Sequence, residues 1–322
     1  MNQATIRQHY IWRNHLAPWT DNGSATGTII CFQDQKIFPV SLTNIALEKY
    51  FYSIKELSTL EKSIICEMTI KNVIGRQKEV NQGWLDLYCA PFDLVDEAIQ
   101  WRKSVGYPLD KAYIQSSQSF GTWITDYIER LHAHIESTGK KYIDLLRQND
   151  LSFWGVEKCR DEFSFFLCNQ YFRTKRMRDS VAGAFAINKA EHEALKQLQP
   201  ENMWLPLSLI FATNVGAHIS HEYTPVMLQA EENCFLVGDQ PIVNTRSTFN
   251  PTSPPSDLEL FYPITPHSAL LLTTDSKYCL GQTIVIDANE VEKYNELEFK
   301  TSGCQVFAKD RAQLAGLSQI KS

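Results

Sequence analysis

The apolar residues of this chain change their spacing twice, and that change limits the folds open to it. From about Ser58 to His221 they recur at i, i+3 and i+4, as a helix with one buried face requires; Ile124, Tyr127, Ile128 and Leu131 show it well. On either side the apolar residues alternate, or gather in short β-branched runs bounded by turn residues. Near the N-terminus, Gly27–Gln33 and Lys36–Val40 read as a hairpin about Asp34-Gln35, with Pro39 capping its second strand. Ser58-Thr59-Leu60-Glu61 is a capping box that opens the helical stretch. Within that stretch the pattern predicts helices over Phe92–Lys103, Gln118–Thr138, Glu157–Asp179, Lys189–Leu198 and a more apolar, buried Met203–Ala217. Strands return after Tyr223. Pro225–Ala230 and Cys234–Val237 read as a hairpin, Asn250–Asp257 as an exposed loop, and Leu258–Tyr262 and Ala269–Thr274 as further strands. A helix over Ala288–Phe299 and a strand over Gln305–Ala308 complete the pattern. Neither end has enough strands to bury a sheet face alone, so the two ends are expected to share one mixed or antiparallel sheet. The expectation is an α+β fold, a single domain over residues 1–322. It comprises N-terminal strands (1–57), a helical region (58–222) and C-terminal strands with a helix (223–322).

Composition narrows the function classes. The net charge of −6 excludes a uniformly basic nucleic-acid coat, although a local basic groove remains compatible with it. The N-terminal residues are polar, unlike a signal peptide, and the longest apolar stretches, Ser208–Val215 and Ser268–Leu272, are far short of a membrane helix. Eight scattered cysteines without a CxxC pair read as reduced thiols. Together these point to a cytoplasmic protein with no membrane partner.

Several polar residues stand where chemistry could use them. His9, followed by Tyr10, begins the first ordered segment, and an imidazole can serve as acid, base or metal ligand near neutral pH; it can equally be a terminal histidine packed on a sheet. Glu48 lies among Leu47, Tyr50, Phe51 and Tyr52, either facing solvent or held by a partner. Gln170, Arg173 and Thr174 share one face of a predicted helix, with Arg176 nearby. Arg173 follows a phenylalanine-rich run, so it sits near the core boundary and needs a carboxylate or phosphate partner. Gly238-Asp239-Gln240-Pro241 ends a strand and leaves Asp239 at its tip, as a site residue or as a plain turn. His218, His221 and Glu222, and His132 with His134, lack the spacing of a metal motif, and no phosphate-binding glycine loop or GxSxG is present.

Taken in order, these segments resemble the domain-of-unknown-function 4238 family. The resemblance rests on Gln8-His9-Tyr10-Ile11-Trp12 with Leu16 and Trp19; Asn44, Glu48 and Phe51-Tyr52; Gln170 and Arg173-Thr174; and Gly238-Asp239-Gln240-Pro241. It continues through Tyr262-Pro263-Ile264-Thr265-Pro266 before Ala269–Leu272, and Asn295 before Val306-Phe307. Trp12 stands where the family pattern has a proline, and Gln8 where a first histidine is common. The resemblance marks His9, Tyr10, Glu48, Arg173 and Asp239 as catalytic candidates and Gln170 and Thr174 as substrate contacts, and Arg176 joins the substrate contacts for its positive charge near Arg173.

Three functions follow as expectations. The first is a bacterial toxin or anti-phage defence effector with nuclease-like phosphodiester cleavage of RNA or DNA, held by an antitoxin or regulatory partner. His9 would be acid or base, Glu48 and Asp239 would orient it or hold a divalent ion, and Arg173 would stabilise the developing phosphorane. The second is NAD-dependent ADP-ribosyl transfer, using His9, Tyr10 or Tyr52, and Glu48. The third is a non-catalytic binding protein whose polar residues form a buried network.

Overall fold

A computed structural model describes residues 6–191, 196–232, 234–249, 255 and 257–315, without the side chains of residues 186–191. In chain order it runs β1 (Arg7–His9), α1 (Arg13–Leu16), β2 (Thr28–Gln33), β3 (Lys36–Ser41), β4 (Leu47–Lys49), α2 (Thr59–Thr69), α3 (Gly75–Ser104), α4 (Lys111–Gln115) and α5 (Gln118–Leu146). It continues with α6 (Glu157–Phe172), α7 (Lys175–Glu191), α8 (Pro200–Glu222), β5 (Thr224–Ala230), β6 (Val237–Gly238), β7 (Val243–Asn244) and β8 (Leu260–Thr265). β9 (Ser268–Thr273), β10 (Thr283–Ile286), α9 (Ala288–Thr301), β11 (Val306–Ala308) and α10 (Arg311–Ala315) close it. The fold is α+β, with a helical middle between terminal strands. The predicted loop Asn250–Asp257 and the centre of the predicted Lys189–Leu198 helix lie largely outside the described residues.

Contacts group the chain into two compact units, each built from separated segments: residues 1–8, 48–135 and 178–214 in the first, and 9–47, 136–177 and 215–322 in the second.

The first unit is helical. Ser58 accepts the Glu61 N–H while Glu61 accepts the Ser58 N–H, so the capping box forms as its sequence requires. Its core is aromatic, with Tyr52 stacked near Trp204 and edge-on to Phe51. Two prolines lie inside its helices, Pro91 in α3 and Pro206 in α8. A proline cannot donate to the carbonyl four residues back, so Leu87 and Asn202 each lose that helical partner. In both cases a tyrosine hydroxyl replaces it. Tyr127 donates to the Leu87 carbonyl at 2.9 Å. Tyr88 reaches the Asn202 carbonyl at 3.2 Å, and the Lys55 carbonyl at 3.0 Å.

The second unit holds the two larger sheets. One has the order β3-β2-β11-β6, all pairs antiparallel, so strands from both chain ends share it. The β2–β3 hairpin turns on Asp34 and Gln35, both with positive φ, as its two-residue loop demands. Pro39 does not cap β3 but lies within it, opposite Ile30. β3 is an edge strand, where a missing N–H breaks no ladder bond. The other sheet has the order β10-β5-β9-β8-β7, with β10 parallel to β5 and the rest antiparallel. The expected hairpin of Pro225–Ala230 with Cys234–Val237 is not formed. β5 pairs with β9 and β10, whereas β6 joins the other sheet beside β11. Short range could not reveal this, because β9 offers Leu270, Leu271 and Leu272, a longer apolar partner supplied by distant sequence.

Tyr88→Phe is expected to destabilise by about 1–3 kcal/mol, because it removes the buried hydroxyl whose one proton the part-buried carbonyls of Lys55 and Asn202 share. Tyr127→Phe, at a less buried hydroxyl, should cost about 1 kcal/mol. Urea unfolding of the two variants checks both the size and the order.

Candidate functional site

The segment after β6 is shaped by two acids. Gly238 allows the close approach of α9: a Cβ there would collide with the Ser302 hydroxyl and lie 3.2 Å from a Glu298 carboxyl oxygen. Asp239 is 2% exposed and accepts three backbone N–H groups, from Gly303, Cys304 and Gln305, at 2.6, 2.8 and 3.1 Å. Its own N–H donates to the Gln305 carbonyl. It therefore holds the turn between α9 and β11 onto the end of β6. Burial pushes its carboxyl above the usual range, and the three amides and Arg176 pull only part of the way back. Glu298, fully buried beside it, accepts the Gly238 N–H at 2.8 Å. Burial, then the charge of Asp239, raises its carboxyl well above the ordinary value. Gln240 bonds the Thr174 hydroxyl and donates to the carbonyls of Tyr171 and Ile242. Thr174 in turn accepts the Met177 N–H at the start of α7.

The His9-Tyr10 segment joins this region through Gln305. The Tyr10 N–H donates to the Ala46 carbonyl. The Ala46 N–H donates to the Gln305 side chain at 3.1 Å, and the Gln305 backbone N–H donates to Asp239. His9 Nδ1 lies 3.0 Å from the Ile45 carbonyl oxygen. A carbonyl only accepts, so Nδ1 carries the proton and, in the neutral ring, Nε2 presents the lone pair. Tyr10 itself is buried in the core.

Arg173 lies in a second polar cluster of the same unit. The helix expected over Glu157–Asp179 is two helices: α6 ends at Phe172, and Arg173 and Thr174 form the joint before α7. Thr174 bonds as a cap rather than as part of one continuous face with Gln170. Arg173 is 1% exposed and paired with Glu136 on α5. Tyr262 is buried close to Arg147, Arg173 and Glu136; burial raises its phenol and the two arginines act against that. His15 stacks on Tyr262, ring centroids 4.5 Å apart. Burial, then Arg147, lowers its imidazole pKa to about 3, so it stays neutral at physiological pH. Gln170 is buried and Arg176 half-buried.

Glu48 belongs to the first unit. It holds Arg178 through two bonds of 2.9 and 3.2 Å, and that guanidinium lies 4.7 Å from the centre of the Phe51 ring. Both line a cleft of about 350 Å³ made only of first-unit residues. His9, Tyr10, Gln170, Arg173, Thr174, Arg176 and Asp239 thus share one unit, and Glu48 lies in the other. Among the described residues no group of three or more His, Cys, Asp or Glu is placed to hold a metal ion. His218, weighed with His221 as a ligand, packs edge-on against Tyr223.

Residues 7–312 match the family described as "Protein of unknown function (DUF4238)". The chain belongs to the DUF4238 family. Comparison with curated proteins and with solved structures finds no match. Two departures of this DUF4238 member from the expected pattern acquire a local reason. Gln8, in place of a histidine, is fully buried; its amide donates to the Thr125 carbonyl and its oxygen accepts the Tyr52 N–H. Trp12, in place of a proline, packs edge-on against Phe166 at 5.9 Å. Asn295 bridges the strand entering β6, accepting from the Leu236 N–H and donating to the Cys234 carbonyl. Sequence reasoning missed His15, Glu136, Glu298 and Gln305. A polar residue between apolar neighbours, as in Asn14-His15-Leu16 or Glu298-Phe299, was the available signal. Among the described residues no helix is long and apolar enough to cross a membrane.

A carboxyl whose pKa is raised by folding binds its proton more tightly in the folded state. Its contribution is full below the ordinary glutamate range and is lost as pH rises towards the folded value, at up to about 1.4 kcal/mol per pH unit. Glu298, and in the same direction Asp239, should make the protein less stable as pH rises from about 4.5 upward. Glu298→Gln, which stays neutral, should flatten that slope in urea unfolding curves recorded from pH 5 to 9.

Proposed function

We propose that this DUF4238 protein acts by binding and that its polar signature residues hold the scaffold. One observation carries the reading: Arg173 and Asp239, the residues that phosphodiester cleavage would need facing a phosphate, are 1% and 2% exposed and engaged internally. Arg173 meets Glu136, and Asp239 meets three backbone amides. A guanidinium stabilises a phosphorane only by touching it. Thr174 and Gln240 likewise bond one another. A polar network of this kind specifies one packing of a core, because each member left unpaired is costly.

A second reading keeps nuclease-like cleavage of RNA or DNA, in a toxin or defence effector restrained by a partner protein. It is favoured by His9 alone, whose Nδ1 contact with the Ile45 carbonyl leaves Nε2 in the form a general base needs.

The two readings separate on two variants. Arg173→Ala should cost about 3–5 kcal/mol, because it leaves Glu136 without its buried cation. The binding reading fails if this variant keeps the parent melting temperature while losing an RNA- or DNA-cleaving activity that the parent shows. The second reading fails if folded His9→Ala cleaves as well as the parent.

A further inference from the structure

The cleft of the first unit is lined by side chains on three sides. The turn Tyr50–Ser53 forms one wall, Arg178 and Asp179 on α7 another, and Glu201 and Asn202 in the first turn of α8 a third. Tyr88 and Trp204, 1% and 2% exposed, lie at its base, and the hydroxyl of Tyr88 is already occupied by backbone carbonyls. The volume of about 350 Å³ suits a small molecule or a single polymer residue, not a protein segment.

Three features of the lining select the ligand. The first is Tyr50. It is half exposed, and its backbone sits at φ +58°, in the left-handed region that a bulky side chain adopts only at an energetic cost. That backbone presents an aromatic ring in the lining of the cleft instead of burying it. The second is Arg178. Glu48 grips it through both carboxylate oxygens, Asp179 accepts from its Nε, and Phe51 backs it on one side. A planar cation fixed in this way has already lost its freedom, so stacking a flat ring on it costs little further ordering. The third is the split of polarity. Glu48 and Asp179 are spent on Arg178, which leaves Lys55 and the Ser53 hydroxyl to meet an anion. Glu201 and Asn202 can meet the polar edge of a base.

We infer that the cleft binds one nucleoside monophosphate unit, its base stacked on Tyr50 or on the guanidinium of Arg178 and its phosphate towards Lys55. Aromatic and guanidinium platforms accept any base, because every base offers a π-face. The unit can be a free mononucleotide or the terminal residue of a single strand, which share this chemistry. The inference supplies a ligand for the binding reading and rests on it. It is read by affinity at the cleft, however, whereas that reading is tested by the stability of Arg173→Ala in the other unit.

The experiment is calorimetric titration of the full chain with 5′-AMP, 5′-UMP, adenosine, inorganic phosphate and a 5′-phosphorylated five-nucleotide single-stranded RNA. Both mononucleotides should bind with Kd between roughly 10 µM and 1 mM. Adenosine and inorganic phosphate should each bind at least about five-fold more weakly than the nucleotide that joins them. Tyr50→Ala should weaken AMP about ten-fold and Tyr50→Phe should restore it, with melting temperatures equal to the parent's. Lys55→Ala should weaken AMP about five-fold and leave adenosine unchanged. Tighter binding of the oligonucleotide than of AMP identifies a strand end as the source, and equal or weaker binding identifies the free nucleotide. The inference is overturned if neither nucleotide nor oligonucleotide binds at millimolar concentration. It is overturned equally if inorganic phosphate binds as well as AMP, or if Tyr50→Ala binds AMP unchanged.

Discussion

The carboxylate of Asp239 and the three amides that point at it decide how the second unit closes. Those amides belong to consecutive residues, Gly303, Cys304 and Gln305, at the turn between α9 and β11. Asp239 gathers these three N–H groups onto one buried carboxylate and so fastens the turn to the end of β6. With it, β11 is set against β6 on one side and β2 on the other. The two ends of the chain meet in one sheet because of this. Gly238 is the steric counterpart, since only a residue without a side chain lets α9 come so close. Glu298 fills the remaining space, one oxygen on the Gly238 N–H, and burial raises its carboxyl pKa well above the ordinary value.

Most of the polar residues around this point follow one rule, a buried polar group bonding another, although Glu298 Oε1 and Gln170 Nε2 have no hydrogen-bond partner among the described residues. Arg173 is buried where α6 gives way to α7, and Glu136 neutralises it. Thr174 begins the next helix and bonds Gln240, which fastens the joint to the residue after Asp239. The prolines of α3 and α8 obey the same rule, with tyrosine hydroxyls replacing the lost N–H groups. A protein arranged in this way spends its most distinctive side chains on its own backbone. The half-exposed tyrosine and the locked arginine of the first-unit cleft are differently placed, since both line open space.

Much of the fold was legible in the sequence because periodicity is a local property. The capping box at Ser58, the β2–β3 hairpin, the helices of the middle and the return to strands after Tyr223 all announce themselves within a few residues. The pairing of distant strands was legible only as a need to cover a sheet face, and the need was met in part otherwise: the C-terminal strands also build a five-stranded sheet of their own. The register of the distant pairing depended on Asp239, Gln305 and Gly238, the last residue of β6. The hairpin expected at Glu231-Glu232 failed for the opposite reason: local turn chemistry was present, but β9 was a better partner and lay far along the chain.

The candidate residues divide along the same line. The sequence by itself determined which polar residues stand out, His9, Glu48, Arg173 and Asp239 among them, because residue type and apolar surroundings are written locally. What each one touches was decided by tertiary structure alone. Glu136 for Arg173, the amides of Gly303–Gln305 for Asp239 and Arg178 for Glu48 are separated from their partners by 37, 64 to 66 and 130 positions. A carboxylate or guanidinium in an apolar stretch must find a partner, and its own neighbourhood states that demand. Only the packed chain supplies the partner, since charge compensation acts through space and not along the backbone.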